Sequence, residues 1–158
     1  MSAKIIPLTE VSDNARKIPQ AVFIDNTEAW VEKFGGDDVI TQMNELYQKY
    51  KFMEQQLVRA RESLRVKTPD IRKTLEMVRL LKDKNAQKEA IQTNFLISDN
   101  VWAKATIPND TGRVGLWLGA NVMVEYTHEE ALKLLSHNLA NAETRIVSTQ
   151  EDIDFLKD

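Results

Sequence analysis

The residues from which this chain could assemble a reactive site are two histidines, five glycines and 24 carboxylates. A zinc hydrolase sets its histidines four apart on one helix face. His128 and His137 have no such spacing. One sits where a helix should begin and the other on that helix's polar side, so both read as surface residues. The glycines, at 35, 36, 112, 115 and 119, fit neither a phosphate loop nor a dinucleotide fingerprint. There is no cysteine, which excludes disulfides, thiolate metal sites and cysteine nucleophiles. The acids fall at solvent positions of helical segments and form no dyad. Arg59, Arg61, Arg65, Lys67, Arg72 and Lys73 make a basic stretch diluted by Glu62 and Asp70, better read as interhelical ion pairs than as a nucleic-acid surface. Asn109-Asp110-Thr111 fits the glycosylation acceptor pattern and is read as a turn. These residues predict no enzyme, no metal and no cofactor.

Bulk properties agree. Of 158 residues, 42% are hydrophobic and 28% charged, and only five are Gly and four Pro, a balance typical of long helices. A net charge of −3 argues against nucleic acid as a partner. The opening Met-Ser-Ala-Lys-Ile-Ile-Pro-Leu has no apolar core of the secretory kind, and no apolar run approaches the length of a membrane span. A soluble protein of a reducing compartment is expected.

The elements then follow from periodicity. Residues 1–36, with Pro7, Pro19 and Gly35-Gly36, read as an N-terminal arm that docks on another surface. A helix over 37–92 starts at Asp37-Asp38, acids that suit a helix N-terminus. Its apolar positions Val39, Met43, Leu46, Tyr50, Met53, Leu57, Ala60 and Leu64 alternate steps of four and three, a heptad seam that calls for a partner helix. Thr68-Pro69-Asp70 predicts a kink near 69 or a restart, with Thr68 as N-cap and Pro69 at the first helical position. Over 93–127 the period drops to two. Leu96–Lys104 and Trp117–Glu125 repeat at an offset of 21, each an apolar piece, a turn ending in Asn and a second strand. Over 128–158, Leu132, Leu135, Leu139, Ala142, Ile146, Thr149, Ile153 and Leu156 form a second heptad, capped by Thr127.

The fold class is therefore mostly α with a small β insert. Two helices form an antiparallel coiled-coil hairpin, with two β-hairpins (about four short strands) between them. Counting outward from the insert at about 1.5 Å per residue sets Asp158 beside residue 61. That leaves the seam from Val39 to Ala60, about 30 Å long, without an intrachain partner. Either the second helix is shortened at its C-terminus or the stripe faces another molecule. A lone two-stranded hairpin is marginal in water. The apolar residues Phe95, Ile97, Val101, Trp102, Leu116, Trp117, Leu118, Val122, Met123 and Val124 are therefore read as a subunit-assembly surface.

Four strings carry a family resemblance: Ile18-Pro19-Gln20-Ala21-Val22-Phe23, Tyr47-Gln48-Lys49-Tyr50-Lys51-Phe52-Met53-Glu54, Pro69-Asp70-Ile71-Arg72-Lys73-Thr74-Leu75-Glu76 and, most specific, Leu116-Trp117-Leu118-Gly119-Ala120-Asn121-Val122-Met123-Val124-Glu125-Tyr126. From Ile18 to Asp158 the chain resembles the α-type subunits of prefoldin. The resemblance implies one prefoldin-like domain over 1–158 and a cytoplasmic hexamer of two α-type and four β-type subunits, so its partners are one further α-type and four β-type chains. The hairpins build central β-barrels. The coil tips hold unfolded actin and tubulin for the cytosolic chaperonin, without nucleotide, metal, nucleic acid or membrane. Val39, Met43, Leu46, Tyr47, Tyr50 and Met53 would then be client contacts at the tip. Family members carry a longer second helix. A structural or tethering coiled coil without client-holding activity is the alternative, though a plain tether needs no apolar hairpins.

Overall fold

The computed structural model describes residues 6–11, 18–108 and 112–158. The Asn109-Asp110-Thr111 pattern lies outside them. The chain divides into two compact units, Met1–Gln56 and Leu57–Asp158. The element order is β1 (Thr9–Glu10), β2 (Gln20–Ala21), α1 (Thr27–Phe34), α2 (Gly36–Ala86), β3 (Ile91–Ser98), β4 (Val101–Ile107), β5 (Arg113–Gly119), β6 (Val122–Thr127) and α3 (His128–Phe155).

In the first unit, the arm folds onto the start of α2 within the same chain. Asn26 caps α1 by accepting a 3.0 Å hydrogen bond from the Ala29 amide, and Gly35, at φ 90°, ends it in a conformation that suits glycine. Asp37 and Asp38 occupy the first turn of α2, as their charge favours. Ile6, Leu8 and Val39 form a buried cluster, flanked by Ile24, Trp30, Phe34 and Leu46. The strands β1 and β2 pair antiparallel, Thr9 with Ala21 and Glu10 with Gln20. Two residues per strand carry no period, so nothing in the sequence announced this pair. The stripe expected to lack an intrachain partner is thus covered at Val39 and Leu46 by the arm.

The second unit holds the helical hairpin and its insert. Leu75 and Val78 of α2, Leu116 of β5, and Ala131 and Leu135 of α3 form the core. Arg72 to Glu143 (2.7 Å) and Lys82 to Glu129 (3.3 Å) link the two helices in antiparallel order. Arg61 bonds Gln150 rather than facing the chain end, eight residues from the expected register. The reason is that α2 ends at Ala86 and β3 starts at Ile91, ahead of the border at 92 and 93 read from the change in period. All eight seam positions read for α3 are buried or half-buried.

Pro69 lies inside α2, which runs through it unbroken. Thr68 is not an N-cap. Its hydroxyl donates back to the Leu64 carbonyl (2.7 Å), a bond available to threonine within a helix. At the start of α3, in contrast, Thr127 and Glu130 form a capping box.

Candidate assembly and client-contact surfaces

The two β-hairpins share a construction. In β3–β4, Phe95 faces Ala103, Leu96 faces Trp102 and Ser98 faces Val101, with a register shift between 96 and 98. In β5–β6, Leu116 faces Val124, Trp117 faces Met123 and Gly119 faces Val122, with the shift between 117 and 119. The bulges thus recur at the repeat offset read in the sequence. Asn100 (φ 65°), Ala120 (φ 48°) and Asn121 (φ 59°) supply left-handed turn residues. In β5–β6, Ala120 and Asn121 give the two consecutive positive φ values of a tight turn between right-twisted strands.

Directly opposed residues lie on the same face of a two-stranded sheet, and neighbours along a strand alternate. One face of β5–β6 carries Val114, Leu116, Val124 and Tyr126. Leu116 is buried in the helical core, and Val114 and Tyr126 pack against it. The opposite face carries Trp117 and Met123, both exposed. Gly115 makes room there, because a Cβ at that position would lie 3.0 Å from the Met123 sulfur. Arg113 and Glu125 close this face with a 3.0 Å ion pair.

The β3–β4 hairpin is apolar on both faces. Phe95 lies on one and Leu96 with Trp102 on the other, and all three are exposed, as are Ile97 and Val101. Trp102 and Trp117 are 62% and 64% accessible. Of the ten residues read as the assembly surface, Leu116 serves the chain's own core and Val124 is half-buried; the other eight are exposed.

The predicted client contacts divide differently. Val39 is buried beneath Ile6 and Leu8, and Leu46 packs beside them. Tyr50 is half-buried and donates its hydroxyl to the Pro19 carbonyl at 2.7 Å. Burial pushes its phenol above the ordinary value of 10.0, so it stays protonated and stays a donor. Met53 is half-buried. Met43 and Tyr47 are exposed, and Ile40 joins them at helical spacing, a residue the heptad reading passed over.

His128 was expected at the surface and is buried. It lies in a small recess with Leu81, Lys84, Asn85, Ile91 and Ile107, and its amide donates to the Gly112 carbonyl at 3.3 Å. No local signal announced this burial, because the recess is walled by residues of α2, β3 and β4. His137 is exposed and bonds Asn141 at 2.9 Å. Among the described residues, no cluster of acids and histidines could hold a metal ion, and no helix is long and apolar enough to cross a membrane.

A helical hairpin bearing two apolar β-hairpins is the prefoldin arrangement, and comparison with known proteins agrees. The family model for prefoldin subunits matches residues 50–158. Human prefoldin subunit 3 is 41% identical over 144 residues, covering 89% of this chain and 73% of its own. The probable prefoldin subunit 3 of Schizosaccharomyces pombe is 42% identical over 146 residues, covering 92% and 83%. A chain of filamentous PFD from Methanocaldococcus jannaschii aligns with a TM-score of 0.55 at 18% identity, over 72% of this chain and 91% of that one, and shows the shared fold. The chain belongs to the prefoldin subunit family, whose members are non-catalytic.

Proposed function

We propose that this chain is an α-type subunit of a hexameric prefoldin co-chaperone, of the subunit 3 kind, in which residues 1–158 form one prefoldin-like domain. The observation that carries this reading is the uncovered apolar surface of the two hairpins, above all Phe95, Trp102, Trp117 and Met123. A surface of this kind marks a site of association. One further α-type and four β-type subunits would cover it. The assembled complex would hold unfolded actin and tubulin in the cytoplasm and deliver them to the cytosolic chaperonin. Supporting it are the identity to relatives named prefoldin subunit 3 and the exposed stripe Ile40, Met43 and Tyr47. Methionine's flexible thioether suits varied partners.

The test is to mix the chain with the other five kinds of prefoldin subunit and measure native mass and suppression of aggregation of denatured actin. Wild type is expected to enter a six-subunit complex that suppresses aggregation. Trp117→Asp should stay outside the complex while its helical circular dichroism is nearly unchanged. Full assembly of that variant would show that the hairpins are not the interface. A wild-type complex that assembles but suppresses nothing would favour a tethering role.

A further inference from the structure

We propose that the face of α2 formed by Val39, Gln42, Leu46 and Tyr50 is a peptide-binding surface directed at backbone groups, which the chain's own N-terminal arm occupies and from which an unfolded client segment displaces it. The proposal rests on the client-holding reading above.

The seating of the arm defines the chemistry. Gln42, Leu46 and Tyr50 stand four residues apart and so line one face of the helix. The Gln42 side-chain carbonyl accepts from the Ile6 amide at 3.2 Å, and the Tyr50 hydroxyl donates to the Pro19 carbonyl at 2.7 Å. Both bonds reach main-chain atoms, which every peptide offers. Ile6 and Leu8 are buried against Val39, and Leu46 packs at their edge. The recognised segment therefore carries two aliphatic side chains two residues apart and free backbone groups beside them. Unfolded polypeptide has these features throughout and folded protein hides them. A binder of unfolded chains needs this selectivity.

The arm is built to leave. Its sheet has two residues per strand, and a two-stranded hairpin is marginal alone. The described segments of the arm that bear on α2, 6–11 and 18–24, are short. Along its outer side, Val11 and Phe23 stay exposed while Ile6, Leu8 and Ile18 are buried. While the arm is seated, the apolar stripe around Val39 is kept from water and from neighbouring complexes. On the adjoining side of the helix, Ile40, Met43 and Tyr47 stay open to make first contact.

The experiment uses the assembled complex with three forms of this chain: wild type, an arm-released form (Ile6→Asp with Leu8→Asp), and the released form with Gln42→Ala and Tyr50→Phe added. Two probes are titrated, denatured actin and a labelled synthetic peptide of residues 1–24. A peptide carrying the two Asp substitutions is the control. An arm seated about nine-tenths of the time lowers apparent affinity about tenfold, so release is expected to tighten actin binding by about that factor. The wild-type peptide should bind the released complex and the control should not. Loss of the two hydrogen bonds should weaken both probes about fivefold or more. Unchanged actin affinity on release, or a peptide that binds no better than its control, overturns the proposal. If the wild-type and released complexes hold no denatured protein while the peptide still binds, the co-chaperone reading falls and the displaceable seating of the arm stands.

Discussion

Individual residues set both the start of α3 and the strength of the core. Glu130 accepts from the Thr127 amide (3.0 Å) and hydroxyl (2.8 Å), and those bonds hold its carboxyl below the ordinary value of 4.5. A carboxylate whose pKa falls on folding stabilises the fold fully above its unfolded value, and that contribution is lost as pH drops through the folded value. Glutamine also completes a capping box but does not titrate. Wild type should therefore melt above Glu130→Gln at pH 7, with the gap shrinking as pH is lowered below 4.5. A gap that ignores pH in parallel thermal melts would remove this account. Leu75 is 4% accessible and meets β5 and α3 at once. Leu75→Ala should cost about 2–5 kcal/mol, read from urea denaturation. Thr127 was legible as a cap because a cap is a local pattern. The burial of His128 was not legible, because it comes from strands that lie far from it in sequence.

Among the elements, α2 departs furthest from a simple repeat. Its buried line steps from Met53 to Leu57, Arg61, Leu64 and Thr68, so half-buried Arg61 stands where the heptad placed Ala60. An added step of four is a local slip between the 3.5 and 3.6 periods. The larger side chain takes the position because its guanidinium finds Gln150 of α3 and Glu62. Pro69 removes the amide that would bond the Arg65 carbonyl, yet the helix continues because packing on both sides holds it. Pro69→Ala restores the donor and is expected to raise the melting temperature, with about 3 kcal/mol as the upper bound. No gain in a circular-dichroism melt would mean that the proline's geometry is already accommodated by the α3 contact. The α3 heptad and both hairpins were readable from period alone, whereas the α2 heptad misplaced Ala60. The β1–β2 pair was not, since its order comes from Ile6, Leu8 and Ile18 finding cover.

At the scale of the whole molecule, the chain exposes more large apolar side chains on its hairpins than a self-sufficient monomer keeps. With a net charge of only −3, little electrostatic repulsion opposes association. The isolated chain should self-associate in sedimentation and bind a hydrophobic dye. Both signals should fall when partner subunits are added. A stable, dye-silent monomer would contradict the assembly reading.

The order of the two long helices and the four insert strands, the α3 seam and the repeated hairpin turns were determined by the sequence itself, because 3.5- and 2-residue periods and Asn-bearing turns are local consequences of backbone geometry. The most specific strings also carried the family resemblance. Tertiary structure alone decided the register, with Arg61 beside Gln150, because register depends on where α2 ends and the sheet begins. It also decided that Val39 and Leu46 are covered while Met43 and Tyr47 stay open. A heptad marks which face of a helix is apolar. What comes to lie on that face is settled by the free energy of seating a distant segment, here the arm that carries Ile6 and Leu8.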